Sequence, residues 1–468
     1  SVNYFLGNNI HASENSDIVL VSAPGYTKNN KKGRVFVYRA VGSEFNSILD
    51  YGINTEANEF HNDGTDTGFG SSLYYDYDQS VAYAGAPLAS FVRGGASAVN
   101  EGIVKISKID VDQPLEENSI VVSSALPQKN VFFGASIAVS PTSVNRMLLV
   151  GAPGQTVDAC INAGAVFVYK ISADLTSVFI DQLKTVPADG SRFGTSISTD
   201  KSGSRVIVSA PGESNNKGAV YVYSYLGDSR YSDYPVKISA PSVCKSGDEF
   251  GSIVKLSADG KYLFVVAAKA SPAADVHGMV FVYKWNGSIY QLSQTIRSIP
   301  NETELALGTS IDVNNTADTL VIGAKGNKSF AGITFDDGNT TFDGSNCVFG
   351  DIIKGAGSAF VFNRYQDKFV YAEELFDQNV LDRSRFGRCV AIGSSIVLVD
   401  APTYRAVGSV YTFRKTGTGN SWHLLRTQPD HVDIKKIEKS VIIDAETESI
   451  TDFIDLIDPV KGKIAGIA

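Results

Sequence analysis

The sequence is poor in sulfur, with four cysteines and two methionines among 468 residues. Cys160, Cys244, Cys347 and Cys389 stand far apart, in no CxxC or Cys/His spacing that would hold zinc. A chain this long buries enough core without disulfides, so the cysteines leave the redox compartment open. Charge is also scarce, at 19% against about 25% in an average soluble domain. The balance is acidic, −9 with a pI near 5.2, which argues against an overall nucleic-acid-binding surface. No hydrophobic run is long. The longest, Tyr262–Ala268, falls far short of the roughly 20 residues that span a bilayer, so no membrane insertion is expected. The opening SVNYFLGNNIH has neither the basic nor the apolar part of a leader. It lacks an initiating Met, and the expectation is a processed chain or a piece of a longer one. GxSxG, HExxH, P-loop and GxGxxG are all missing, and the five histidines stand singly. The expectation is that the chain is not an enzyme.

What the chain has instead is glycine, 43 residues of it, and many short Val/Ile/Tyr runs. Three phrases recur in fixed order. The first is Phe/Leu-Gly, with its glycine at 7, 70, 134, 194, 251, 308 and 387. The second is an apolar run ending in small-Ala-Pro, as in VLVSAP to Pro24 and LLVGAP to Pro153. It decays to FVVAAK at Lys269 and LVIGAK at Lys325. The third is Gly-x-Val-x-Val-Tyr, as in GRVFVY from Gly33 and GAVYVY from Gly218. The first-phrase glycines are 63, 64, 60, 57, 57 and 79 residues apart. Units of that length hold four strands each. The runs are apolar on both parities, so both faces of each sheet are buried, as in a radial array. The fold class read from this is all-β: a seven-bladed β-propeller of four-stranded antiparallel blades. The blades start near residues 6, 69, 133, 193, 250, 307 and 386. The first-phrase Phe is expected to wedge between blades, and the glycines to permit close backbone approach.

The order FG…GAP…GxVYVY resembles the FG-GAP repeat of integrin-α-type seven-bladed propellers, over roughly Leu6 to Gln428. Calcium-binding members of that family carry D-x-D-x-D-G loops between the first two strands, whose alternate oxygens wrap one hard cation. Here those turns read HASENSD, YYDYDQS, SPTSVNR, TDKSGSR, SADGK, NNTAD and IGSS, none with the full ligand set. Asp76 and Asp78 come closest and are the metal candidates; Ca²⁺ is the one cofactor left open. Turn chemistry alone also accounts for acids at such positions.

Connections between the second and third strands vary most, from 7 residues in blade seven to 16 in blade two and 33 in blade six. Alternate connections share one propeller face, and long insertions there are candidate contact sites. The blade-two insertion offers Phe91 and Arg93. The blade-six insertion offers Phe330, Phe335, Asp336, Asp337, Phe342 and Asp343, aromatic anchors among acids. Packing of these Phe residues onto their own propeller is the equally weighted alternative.

Residues 1–428 are assigned to the propeller, and 429–468 to a linker or docking segment with a short helix near 447–457. Ile450, Phe453, Ile454 and Ile457 fall on one helical face and would need something to dock on. The tail DFIDLIDPVKGKIAGIA resembles a segment of long modular structural proteins of large tailed phages. That resemblance implies a non-enzymatic module of a virion: baseplate, tail fibre or capsid-associated. Its loop-rich face would contact another virion protein, a host surface or a glycan, and its location would be the virion. The alternatives are an extracellular or cell-surface adhesin that binds protein or glycan, and a propeller carbohydrate-active enzyme. The last predicts acids from different blades meeting at the axis.

Overall fold

In the computed structural model, residues 7–424 are described except 29–30, 42–43, 52–66, 94–95, 110–118, 141–145, 184, 272–275, 300–304, 327, 330–333, 337–351, 354–356, 377–384, 403–407 and 416–421. The protein is a seven-bladed β-propeller of four-stranded antiparallel blades with almost no helix. The innermost strands are Ile10–Ala12, Ser72–Asp76, Ser136–Ser140, Ile197–Thr199, Phe250–Leu256, Leu305–Val313 and Val390–Ile392. Each pairs with the second-phrase strand, which pairs with the third-phrase strand, and an outer strand follows. Blade three shows the pattern: Ser136–Ser140, Arg146–Ala152, Ala165–Ile171 and Ser177–Gln182. Its second strand is buried along its whole length, because a neighbouring blade covers each face.

The phrases recur together because they touch each other. Phe133 is fully buried between the third strand of blade two (Val104, Ile106) and blade three. Its ring lies 5.7 Å from Phe167 and edge-on to Tyr169 at 6.0 Å. Phe193, Phe250 and Phe386 meet the aromatic pair of their own third strand in the same way. The wedge expected from sequence is therefore present. The first-phrase glycines all sit at φ between +78° and +90°, where a side chain is strained. A Cβ on Gly134 would lie 2.4 Å from the Ile103 carbonyl, and one on Gly102 would lie 2.1 Å from that of Phe133. First and third phrases of neighbouring blades thus interlock backbone to backbone.

The ring closes without strand exchange among the described residues. Blade one is built from residues 10–51 and blade seven from 390–424. Their joint is a core of Ile10, Val19, Val21, Phe36, Leu398 and Val410, with Ser394 N–H donating to the Glu14 carbonyl at 3.1 Å. Asp400 stands in this joint where the other second strands place Ser, Gly or Ala. It is fully buried.

Two insertions contribute further strands. Phe91–Arg93 pairs with Ala96–Ala98 as a small hairpin. In the blade-six insertion, Thr334–Asp336 adds a fifth strand to the outer edge of blade five. That places Phe335 and Asp336 in backbone register with Ser298 and Arg297. Phe330, Asp337, Phe342 and Asp343 lie outside the described residues. So does everything after Leu424, including the expected docking face of Ile450, Phe453, Ile454 and Ile457. Among the described residues no helix is long and apolar enough to cross a membrane.

Candidate functional site: the axial channel

The innermost strands converge on an axis, and their inward edges would leave backbone amides unpaired. Side chains of the preceding blade satisfy several of them. Ser196 and Ser198 of blade four accept from Val254 N–H and Leu256 N–H of blade five, at 3.1 and 2.9 Å. Asp312 Oδ2 of blade six accepts from Ile392 N–H of blade seven at 2.9 Å. A channel remains between the strands, with a cavity at each end. The larger, about 530 Å³, opens on the face that carries the first-phrase glycines and the insertions. The smaller, about 200 Å³, lies toward the turns between first and second strands and is lined by all seven blades. His11, Leu73, Lys255 and Asp312 line both.

This lining follows a simple register. The residue four after each first-phrase glycine is His11, Tyr74, Ala138, Ser198, Lys255, Asp312 or Ala391. The first six all line the smaller cavity, so they form one level of the channel. Lys255 Nζ donates to Asp312 Oδ1 at 2.6 Å. Asp312 also accepts from its neighbour's amide, Val313 N–H, at 3.0 Å. The carboxylate is thus anchored, while the ammonium has two further donors. The His11 ring lies 5.2 Å from Tyr74. Burial, and then the Lys255 cation, hold the His11 imidazole down at about 4, so it is neutral at pH 7.

Three residues nearer the open mouth, about 10 Å at the rise of a strand, lies a second level. It comprises Asn8, Ser71, Ala135, Thr195, Ser252, Thr309 and Arg388, the residues directly after each first-phrase glycine. Asn8, Ser252, Thr309 and Arg388 line the larger cavity, as does Lys325 from the end of a second strand. Burial, then the nearby Arg388 and Arg385 cations, push the Lys325 ammonium below its ordinary pKa. Among the described residues no carboxylate lies within 4.0 Å of Lys325 or Arg388. At the opposite end Lys201 of blade four meets Glu14 of blade one at 2.6 Å. These blades face each other across the ring, so the pair spans the narrow end. Lys201 is raised chiefly by that hydrogen bond.

In three of the turns that would hold calcium in the resembling family, the acid accepts hydrogen bonds from its own turn. Asp200 accepts from Ser204 N–H at 2.8 Å, Ser202 Oγ at 3.0 Å and Ser204 Oγ at 2.6 Å. Asp259 accepts from Ser257 Oγ and Lys261 N–H, and Asp318 from Asn314 Nδ2 and Thr316 Oγ1. Asp76 is buried against Arg146 of blade three, 2.8 Å from its Nε, while Asp78 is exposed in the following turn. Among the described residues no three His, Cys, Asp or Glu side chains come together. The axial acids Glu14, Asp200 and Asp312 come from three different blades, and a cation neighbours each.

No protein-family model matches the chain. It is similar in structure to the periplasmic gluconolactonase PpgL of Pseudomonas aeruginosa, at 13% identity and a TM-score of 0.48, covering 89% of this chain and 95% of that one. It is similar to a putative 6-phosphogluconolactonase of Bacteroides uniformis, at 10% identity and a TM-score of 0.48, covering 86% and 93%. The propeller of Dos1 is similar at 12% identity and a TM-score of 0.46, covering 84% and 75%. At these identities the likeness concerns the fold alone. The expected non-enzymatic module of a tailed-phage virion is corrected here. Two of these three neighbours are described as lactonases and none as a virion component, and that role is not carried forward.

Proposed function

We propose that the protein is a small-ligand-binding propeller that takes its ligand into the larger axial cavity, through the face that carries the insertions. The observation that carries this reading is the pair Lys325 and Arg388 at the mouth of a 530 Å³ cavity, without a carboxylate within 4.0 Å among the described residues. A protein that keeps two cations together at a concave mouth holds an electrostatic cost that an incoming anionic group relieves. The other residues of that level are small or neutral, so the mouth is open as well as charged.

The repeat is read as FG-GAP-type. What supports this is the recurrence of the three phrases and their mutual contact between blades. The test of the binding reading is a thermal-shift screen of a broad metabolite set on the wild type and on Lys325→Met. A compound that raises the wild-type melting temperature and loses that effect in the variant is the expected result. A screen in which every stabilising compound acts equally on both proteins would refute the site.

A further inference from the structure

The hydrogen-bonding state of the mouth narrows the ligand class, on the premise that the axial cavity is the binding site. Four of the seven residues at the mouth level carry hydroxyls: Ser71, Thr195, Ser252 and Thr309. Every one already donates its proton to a backbone carbonyl. Ser71 Oγ donates to Gly68 at 2.6 Å and Thr195 Oγ1 to Arg192 at 2.7 Å. Ser252 Oγ donates to Val266 at 3.2 Å and Thr309 Oγ1 to Gly387 at 3.0 Å. Of the four, Ser252 and Thr309 line the larger cavity. A hydroxyl has one proton and two lone pairs; Ser252 Oγ also accepts from Ala268 N–H at 3.2 Å, so it offers a ligand its one remaining lone pair, while Thr309 offers two. Ser310, one residue deeper, repeats the pattern on the Gly387 carbonyl at 3.3 Å. The neutral hydroxyls of this wall therefore accept, and the ligand must bring donors to them. Lys325 and Arg388 only donate, and an anionic group suits them best. The floor is the Lys255–Asp312 pair, about 10 Å below the mouth.

We infer that the ligand is a small hydroxylated anion. Its carboxylate or phosphate sits on Lys325 and Arg388, and a polyol body of up to about six carbons donates to Ser252, Thr309 and Ser310. A neutral polyol lacks the first element and a plain fatty acid lacks the second.

Isothermal titration of the full chain with galactonate, galactitol and hexanoate, each of six carbons, separates the two elements. Galactonate should bind more tightly than either of the others by about tenfold or more. Lys325→Met and Arg388→Gln should each weaken galactonate about tenfold. Thr309→Val should weaken galactonate and leave hexanoate unchanged. Galactitol binding as well as galactonate would overturn the anionic element; hexanoate binding as well would overturn the hydroxylated one. If none of the three binds while the metabolite screen yields a Lys325-dependent compound of another class, this inference fails and the site stands. If no compound depends on Lys325, both fail.

Discussion

Asp400 is a buried acid whose removal should stabilise the protein, and more so as the pH rises. Its carboxyl is fully buried in the joint between blades seven and one. One oxygen, Oδ1, accepts from Cys389 N–H at 2.5 Å, while Oδ2 has no hydrogen-bond partner. Blades one and four show what a smaller residue does at this place. Ser22 Oγ accepts from Asn9 N–H and Ser209 Oγ from Ser196 N–H, each at 2.9 Å and each the amide equivalent to that of Cys389. Asp400→Ser thus keeps the useful bond and deletes only the orphaned oxygen. A buried polar atom without a partner costs about 1–3 kcal/mol, and that is the expected gain where the acid is protonated in both states. Burial also raises the Asp400 pKa well above 3.8, with the Cys389 amide and Arg388 opposing. The folded state therefore keeps a proton that the unfolded state releases. Wild-type stability falls as pH climbs from the unfolded pKa toward the folded one, by about 1.4 kcal/mol per pH unit. The gap between Asp400→Ser and wild type should therefore widen as the pH rises above the ordinary carboxylate value, where the unfolded state has lost its proton and the folded state still keeps one. Urea midpoints across that pH range, with slopes checked for equality, measure it. Asp400→Asn, which cannot ionise, should show the same flattened profile. A gap that does not change with pH would refute the reasoning.

Arg146→Met should cost about 3–5 kcal/mol in urea unfolding, because it strands the buried Asp76 carboxylate without its cation; a loss under 1 kcal/mol would count against the pair. Gly134→Ala should cost about 3 kcal/mol or more, since φ is +87° and the new Cβ meets the Ile103 carbonyl. Gly190→Ala, at φ +67° with open space around it, is the control and should cost about 1–2 kcal/mol. Excess chelator should leave the melting temperature unchanged, because the turn acids Asp200, Asp259 and Asp318 accept hydrogen bonds from their own turns. A fall of several degrees would establish a structural cation.

The blades were legible in sequence because the residues that build them repeat. Phe133, Gly134 and Gly102 recur for one mechanical reason: neighbouring blades must interlock at the same point seven times. The channel was not read, for the converse reason. A site inside a ring of repeats is made by the positions at which the repeats differ. His11, Tyr74, Lys255 and Asp312 occupy one register position and share no chemistry, so a search for recurrence passes over them. The signal was available as departure from the pattern. GAK in place of GAP marked Lys325, and Arg388 stands where five other blades have Asn, Ser or Thr and one has Ala. Long insertions drew the contact predictions instead, and of those residues Phe91, Arg93, Phe335 and Asp336 lie on described strands. Asp76 was legible as an acid in a turn, but its partner Arg146, 70 residues away, was not.

The joint between blades seven and one has a mechanical consequence. Six of the seven inter-blade joints are crossed by the polypeptide itself, so a covalent tether limits how far those blades can separate. Among the described residues the seventh is held by side-chain packing and a few hydrogen bonds alone. A force applied between residues near the two ends of the ring loads that one joint first, and the ring would yield there as an opening clasp. The same arrangement makes the cut arbitrary: a permuted chain that joins the present ends and begins at another joint would preserve every blade whole.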